Sequence, residues 1–99
     1  MGEMRINYDK VIAQADSMQD LADSLKNRID DLMNLQTSLR TSWVGPASTA
    51  FQKKLSTLIT DMQQTRSDMN SVVSKIKTTA TAIKKEDERL AALAQEQLE

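Results

Sequence analysis

The sequence contains neither cysteine nor histidine, two residue types on which much enzyme and metal chemistry depends. The chain therefore lacks the common general base, the soft metal ligands and the thiol nucleophile. Without cysteine it cannot form disulfide bonds. With two glycines it also has no glycine-rich loop to hold a phosphate. These absences predict a protein that is not an enzyme, with no catalytic residues, no cofactor and no metal.

Aromatic and turn-forming residues are scarce as well. The 99-residue chain has one Trp, one Tyr and one Phe, together with two glycines and one proline. Its core must therefore be built from Leu, Ile, Val, Met and Ala. An all-β fold needs many more turns than this composition supplies. The predicted fold class is all-α.

Charge and hydropathy argue against two further classes of partner. The net charge is −1, and Lys and Arg are spread along the chain, so we expect no binding to nucleic acid. No apolar run approaches the length of a membrane span, so we expect no stable membrane insertion. The adjacent carboxylates at Asp30–Asp31 and in segment 86–88 point about 100° apart on a helix. They are interpreted as solvated faces and not as acid–base pairs.

A first long helical pattern runs from about Tyr8 to Ser42 without glycine or proline. Its apolar positions recur at alternating steps of four and three, which is the heptad seam of a helix packed on another helix. Gln36 is the one polar member of this seam. The apolar members are Val11, Ala15, Met18, Ala22, Leu25, Ile29, Leu32, Leu39 and Trp43.

A second seam with the same alternation starts at Phe51 and returns at Leu90 and Leu93 after a polar interruption at Glu86. It predicts a second long helix that packs on the first. Its members are Phe51, Leu55, Leu58, Met62, Thr65, Met69, Val72, Ile76, Thr79 and Ile83.

The break between the seams is Trp43-Val44-Gly45, followed by Pro46. Glycine can leave a helix, and proline suits a first helical position. We expect one antiparallel helix-turn-helix hairpin over residues 1–99. Its predicted parts are a helix at about 7–42, a turn at 43–45 and a helix at about 46–85. With Trp43 facing Phe51, residues beyond about Glu86 have no partner in the first helix, so the tail 86–99 is predicted to be partly ordered.

Additional apolar residues widen both seams. Ile12, Leu21, Met33 and Leu35 lie beside the first seam, and Ile59 and Val73 beside the second. An exposed strip of this extent predicts pairing of two hairpins into an elongated four-helix-bundle dimer. A monomeric hairpin with a few exposed aliphatic residues is the alternative. The predicted core and dimer packing residues are Leu21, Leu25, Ile29, Leu32, Met33, Leu35, Leu39, Phe51, Leu55, Leu58, Ile59, Met62 and Val73.

The central W-x-G sits in a hundred-residue, cysteine-free double heptad, with Phe51 eight residues after Trp43. In this layout the sequence resembles the WXG family of type VII secretion substrates, which are early-secreted-antigen-like proteins. The segment 78–90, TTATAIKKEDERL, looks like the tails of homodimeric Gram-positive members.

The resemblance implies dimers that pair head to tail, with the W-x-G turn of one subunit beside the C-terminal tail of the other. A secretion ATPase then reads turn and tail together. Some relatives carry a tyrosine, three residues and an acidic residue in that tail, whereas this chain has Ile83 in the tyrosine's place and its only tyrosine is Tyr8. Heptad continuation is the alternative interpretation of the apolar tail residues. The implied recognition residues are Trp43, Gly45, Ile83, Asp87 and Leu90.

We therefore expect a secreted substrate or co-substrate, made in the cytoplasm and exported by a route independent of a signal peptide. Its expected partners are a second copy or a related WXG-type chain, and the type VII secretion ATPase. One alternative is a cytoplasmic adaptor that pairs with the helical leader of a larger toxin. Another is a purely structural coiled-coil protein.

Overall fold

The structure, a computed structural model, describes residues 7–98 and consists of two antiparallel helices. Helix α1 spans Tyr8–Ser42 and helix α2 spans Pro46–Leu98. The molecule measures 82 × 18 × 15 Å. The predicted all-α helical hairpin is confirmed. Residues 1–6 of the predicted domain and residue 99 of the predicted tail lie outside the described residues.

Helix α1 begins and ends with local hydrogen bonds. The side chain of Asn7 accepts a hydrogen bond of 3.1 Å from the backbone N–H of Lys10, which satisfies a free donor of the first turn. At the other end, Trp43 has extended backbone angles, and its N–H donates to the carbonyl of Leu39 at 2.9 Å. The chain therefore leaves the helix at Trp43.

The turn depends on the backbone conformation of Gly45. This residue has a φ of 132°, a region that disfavours residues with a side chain. A Cβ at this position would meet no atom within 4 Å. The requirement for glycine is therefore conformational and not one of space. Pro46 is the first residue of α2, where its fixed φ suits the helix and its missing N–H costs nothing.

Ser48 lies at the start of the face of α2 that packs on α1. Its hydroxyl is buried and donates a 2.7 Å hydrogen bond to the carbonyl of Trp43. Ser48 therefore faces α1. The residues that follow on the covered side of α2 are Gln52, Leu55, Ile59 and Met62, each buried or half-buried. They form the face of α2 that packs on α1.

On α1 the observed seam has the residues predicted for the helix. Ala15, Ala22 and Ile29 are buried. The two small alanines allow α2 to approach closely. Six seam residues are half-buried, namely Val11, Met18, Leu25, Leu32, Gln36 and Leu39.

On α2 the observed seam differs from the predicted one, and this is a correction. The prediction directed Phe51, Leu58 and Val72 at α1 and placed Ile59 and Val73 on a flank. In the structure the roles are reversed, since Ile59 and Val73 are buried while the other three are exposed. Two 4-3 series share Ser48, Leu55, Met62, Met69 and Ile76, so the spacing of the residues does not separate them. Helix α1 packs on the side of these shared residues that carries Ile59, Val73 and Ala80.

Polar contacts line one edge between the helices and hold their register. Gln19 Nε2 donates to Asn70 Oδ1 at 3.0 Å, and Lys77 pairs with Asp16 at 2.5 Å. Nearer the turn, Gln36 Nε2 donates to Ser56 Oγ at 2.6 Å. Within the seam itself, Arg66 Nε donates to the carbonyl of Ala22 at 3.2 Å. These contacts define an antiparallel pairing that a slipped register would break.

The C-terminal segment also differs from the prediction, because α2 continues to Leu98. Segment 84–98 contains no glycine or proline and is rich in Lys, Glu, Leu, Ala and Gln. These residues favour the helix without tertiary contacts. A bidentate pair between Arg89 and Glu86 adds local support.

We predict that Ile59→Ala lowers the free energy of unfolding by about 3 kcal/mol, because it opens a cavity beside Ile29 and Leu55. Leu93→Ala, at an exposed position in the tail, serves as the control and should change it by less than about 0.5 kcal/mol. Urea titration followed by circular dichroism measures both. Equal losses for the two variants would contradict the observed seam.

Gly45→Ala should destabilise the hairpin by about 1–2 kcal/mol, because an L-residue is strained at this φ. Val44→Ala is the matched control next to it, since Val44 is 88% exposed and should tolerate the change. Thermal unfolding of the two variants compares them. A neutral Gly45→Ala would show that the turn does not need the observed backbone conformation.

Candidate interaction surfaces: the turn, the tail and an exposed apolar stripe

The tip of the hairpin carries an aromatic pair. The rings of Trp43 and Phe51 have centroids 5.7 Å apart and an interplanar angle of 49°, so the predicted contact between them is confirmed. Trp43 nevertheless remains 39% exposed. Contact between the two rings stabilises the turn, and the exposed part of the indole is available to a partner.

A shallow groove of about 270 Å³ adjoins this pair. It combines the indole of Trp43 and the backbone of Gly45 with the side chains of Arg40 and Gln52. Among the described residues, the side-chain amide of Gln52 is buried without a hydrogen-bond partner. The groove thus offers an aromatic wall beside a cationic group, which suits a helix with apolar and acidic side chains.

The predicted tail residues Ile83, Asp87 and Leu90 are all exposed. Asp87 accepts a hydrogen bond from the hydroxyl of Tyr8 at the start of α1. This contact corrects the expectation that residues beyond about Glu86 lack a partner in the first helix. Sequence reasoning noted Tyr8 only as missing from the tail, although the antiparallel register brings it level with Asp87. Residues 88–97, beyond this contact, are all exposed.

The charged side chains of the tail interact within one helical turn. Arg89 donates to both carboxylate oxygens of Glu86, at 2.6 and 3.0 Å. These hydrogen bonds hold the pKa of the Glu86 carboxyl below its usual value and raise the pKa of the Arg89 guanidinium. Glu86 therefore stays ionised to a lower pH than an unpaired glutamate, and Arg89 offsets its charge.

Turn and tail lie at opposite ends of the rod. Between Gly45 and Asp87, α2 rises by about 60 Å at 1.5 Å per residue. One chain therefore does not bring the predicted recognition residues Trp43, Gly45, Ile83, Asp87 and Leu90 together. Any receptor that reads turn and tail at one place needs two chains.

An exposed stripe runs along α2 on the side away from the polar edge. We call it the outer stripe, and its residues recur every seven positions as Phe51, Leu58, Thr65, Val72 and Thr79. On α1, Leu21 and Leu35 flank the seam on the side opposite Gln19, so they border the same face. Leu21 is 63% exposed. This face of the hairpin therefore carries five exposed apolar side chains, namely Leu21, Leu35, Phe51, Leu58 and Val72.

The inter-helical surface beside the outer stripe is open near the free end of the hairpin. A groove of about 330 Å³ lies there. Val11 of α1 forms one wall, and Ile76, Thr79, Ala80 and Ile83 of α2 form the rest with Lys75 at the rim. Its lining is almost entirely apolar, so it suits an aliphatic side chain of a partner.

The thirteen predicted packing residues fall into three groups. Ile29, Leu55, Ile59 and Val73 are buried between the helices. Leu25, Leu32, Leu39 and Met62 are half-buried there, and the exposed group is Leu21, Met33, Leu35, Phe51 and Leu58.

Two features are absent from the part of the chain that the structure describes. Over residues 7–98, neither helix has a stretch long and apolar enough to span a membrane. The same part of the chain holds no group of three or more acidic side chains arranged to bind a metal ion.

Comparison with known proteins identifies the family. The WXG100 family model, described as proteins of 100 residues with WXG, matches residues 3–88. Neither the curated proteins nor the solved structures give a significant match. Since the matched segment covers most of the chain and includes the Trp43–Gly45 turn, the protein belongs to the WXG100 family of small helical proteins associated with type VII secretion.

Proposed function

We propose that this protein is a substrate or co-substrate of a type VII secretion system and is exported as a head-to-tail homodimer. The observation that carries the proposal is the outer stripe, an apolar face that α1 leaves uncovered. The link to a type VII secretion system comes from membership of the WXG100 family. A second copy of the chain covers the outer stripe.

The energetics favour such a pair. Fully burying one large aliphatic side chain stabilises a structure by roughly 1.5–3 kcal/mol. Each hairpin presents several of these on one face, namely Leu21, Leu35, Phe51, Leu58 and Val72. A two-fold dimer covers these five side chains in both copies. Four of the five are already about half covered in the hairpin, so each gains part of that amount on pairing. The ten side chains of a dimer together oppose an association cost of about 4–15 kcal/mol.

Head-to-tail pairing also places turn and tail together. The Trp43–Gly45 turn of one copy then lies near Ile83, Asp87 and Leu90 of the other. This composite surface is the proposed recognition element for the secretion ATPase. Each end of the dimer combines the turn of one copy with the tail of the other. A single hairpin has the turn at one end and the tail at the opposite end.

Val72→Glu should convert the dimer to a monomer without unfolding the hairpin. Val72 lies in the outer stripe and is 44% exposed, whereas its neighbour Val73 is 3% exposed and packs on α1. A buried carboxylate at the dimer interface should raise the dissociation constant by roughly a hundredfold or more. Light scattering after size-exclusion chromatography gives the mass, and circular dichroism gives the helix content.

Ser71→Glu is the matched control, because it adds the same charge one position away on an exposed side of α2. It should stay dimeric. A Val72→Glu variant that also remains a dimer would exclude the outer stripe as the interface. A wild-type chain that is monomeric alone but binds a related chain or a larger toxin's helical leader would favour the adaptor alternative.

Trp43→Ala should block export while leaving a folded dimer in the cell. The Trp43 indole contacts Phe51 and is 39% exposed, so its loss removes part of the proposed recognition surface. The export assay compares the culture medium with the cell lysate in a host that carries a type VII system.

Val44→Ala is the control for that experiment, since Val44 belongs to the same turn and is almost fully exposed. It should be exported like the wild-type chain. Normal export of Trp43→Ala would contradict the assignment of the turn as a recognition element.

A further inference from the structure

We propose that Tyr8 is a positioning residue of the recognition surface in the tail. Its hydroxyl donates a hydrogen bond to Asp87 Oδ2 and thereby holds that carboxylate in place for the secretion ATPase. This inference rests on the proposed function and deepens it, because it adds a residue of α1 to the recognition element. Ile83, Asp87 and Leu90 of α2 then form one surface with Tyr8.

The first turn of α1 fixes the position of Tyr8. The side chain of Asn7 accepts a hydrogen bond from the N–H of Lys10 at 3.1 Å, and the carbonyl of Asn7 accepts one from the N–H of Val11 at 3.0 Å. Tyr8 is the first residue of the helix that these bonds begin. Because such a cap stabilises the end of a helix, the tyrosine has a defined place on α1.

Rows of residues spaced by seven direct the two side chains at each other. Tyr8 stands seven positions before a row of α1 that is buried against α2, namely Ala15, Ala22 and Ile29. Asp87 stands seven positions after the last two buried residues of a row on α2, which are Val73 and Ala80. Residues seven apart lie on the same side of a helix that packs on another helix. The contact between Tyr8 and Asp87 is therefore the next level of the same packing.

The chemistry of this level differs from that of the level before it. Seven residues further into the hairpin on each helix stand Ala15 and Ala80, both buried. An apolar pair in place of Tyr8 and Asp87 would continue this packing and bury more apolar surface. A hydroxyl and a carboxylate at the end of two packed rows break the local pattern, and departures of this kind are expected at functional sites.

The hydrogen bond orders the carboxylate without using all its acceptor capacity. An ionised carboxylate can accept about four hydrogen bonds, so the bond from Tyr8 leaves room for donors of a receptor. Asp87 is exposed, and exposed Ile83 and Leu90 lie one helical turn to either side of it. A side chain that is already held loses less rotamer freedom on binding. Tyr8 therefore prepares the polar group between the two apolar ones.

In the proposed dimer, this pair lies at the same end as the turn of the other copy. Tyr8 and Trp43 stand at the two ends of one row of α1, since their positions differ by a multiple of seven. Head-to-tail pairing therefore brings Tyr8 of one copy to the end that carries Trp43 of the other. The composite surface then contains both aromatic residues and the carboxylate that Tyr8 holds.

Tyr8→Phe is the first test, because it removes the hydroxyl and keeps the ring between the helices. It should lower the secreted fraction by roughly threefold to tenfold, since the receptor must then order the carboxylate itself. Culture medium is compared with cell lysate at a temperature well below the unfolding midpoint of the variant. Circular dichroism and light scattering should find the helix content and the dimer mass of the wild-type chain.

Asp16→Asn is the matched control, because it weakens another polar contact between α1 and α2, the ion pair with Lys77. That pair lies on the polar edge and outside the tail surface, so the variant should be exported like the wild-type chain. An equal loss of export in Asp16→Asn and Tyr8→Phe would show that export follows the stability of the hairpin, and would overturn the inference.

Asp87→Ala separates positioning from a purely structural hydrogen bond. If the bond served stability alone, Tyr8→Phe and Asp87→Ala would lose the same amount of export, since each breaks the same bond. We expect the larger loss for Asp87→Ala, because it removes the contact with the receptor as well. The double variant should be exported as well as Asp87→Ala alone, because Tyr8 acts through that carboxylate.

The outcomes separate this inference from the proposed function. Normal export of Tyr8→Phe, export above the wild-type level, or equal losses for Tyr8→Phe and Asp87→Ala would overturn the role of Tyr8. If Trp43→Ala is blocked in the same assay, the proposed function stands in each of these cases. Normal export of both Trp43→Ala and Asp87→Ala would overturn the recognition element, and the role of Tyr8 with it.

Discussion

The apolar face of α2 is wider than a single neighbouring helix can cover, and the rest of the structure follows from this constraint. The buried series that includes Ile59 and Val73 packs on α1, whereas Leu58 and Val72, each one residue earlier in the sequence, point away from it. A helix that carries two adjacent heptad seams can pack against two neighbouring helices. Within one hairpin, α2 has α1 as its single neighbouring helix.

The turn joins the two helices within three residues. The hydrogen bond from Ser48 to the carbonyl of Trp43 ties the start of α2 to the end of α1, and the positive φ of Gly45 lets the chain reverse there. The same short segment exposes Trp43 at the tip. A structural requirement and a proposed recognition surface therefore coincide there, which gives a physical reason for a tryptophan and a glycine at this spacing.

The sequence was sufficient to predict the hairpin and the seam of α1, because Gly45 and Pro46 are the one break between two long periodic patterns. It was not sufficient for the face of α2. Leu55 and Met62 belong to both possible series, so periodicity alone could not separate Leu58 from Ile59. The contact between Tyr8 and Asp87 was missed for a similar reason, since it joins residues 79 positions apart. The order in the tail was underestimated because its helix propensity needs no tertiary partner.

The central claim is that the second seam of α2 is covered by a second copy of the chain. The most direct test is the midpoint of reversible thermal unfolding, measured over about a hundredfold range of protein concentration. If two copies fold as one unit, the midpoint rises by several degrees as the concentration increases, because association stabilises the folded state. A midpoint that does not change with concentration would contradict the account.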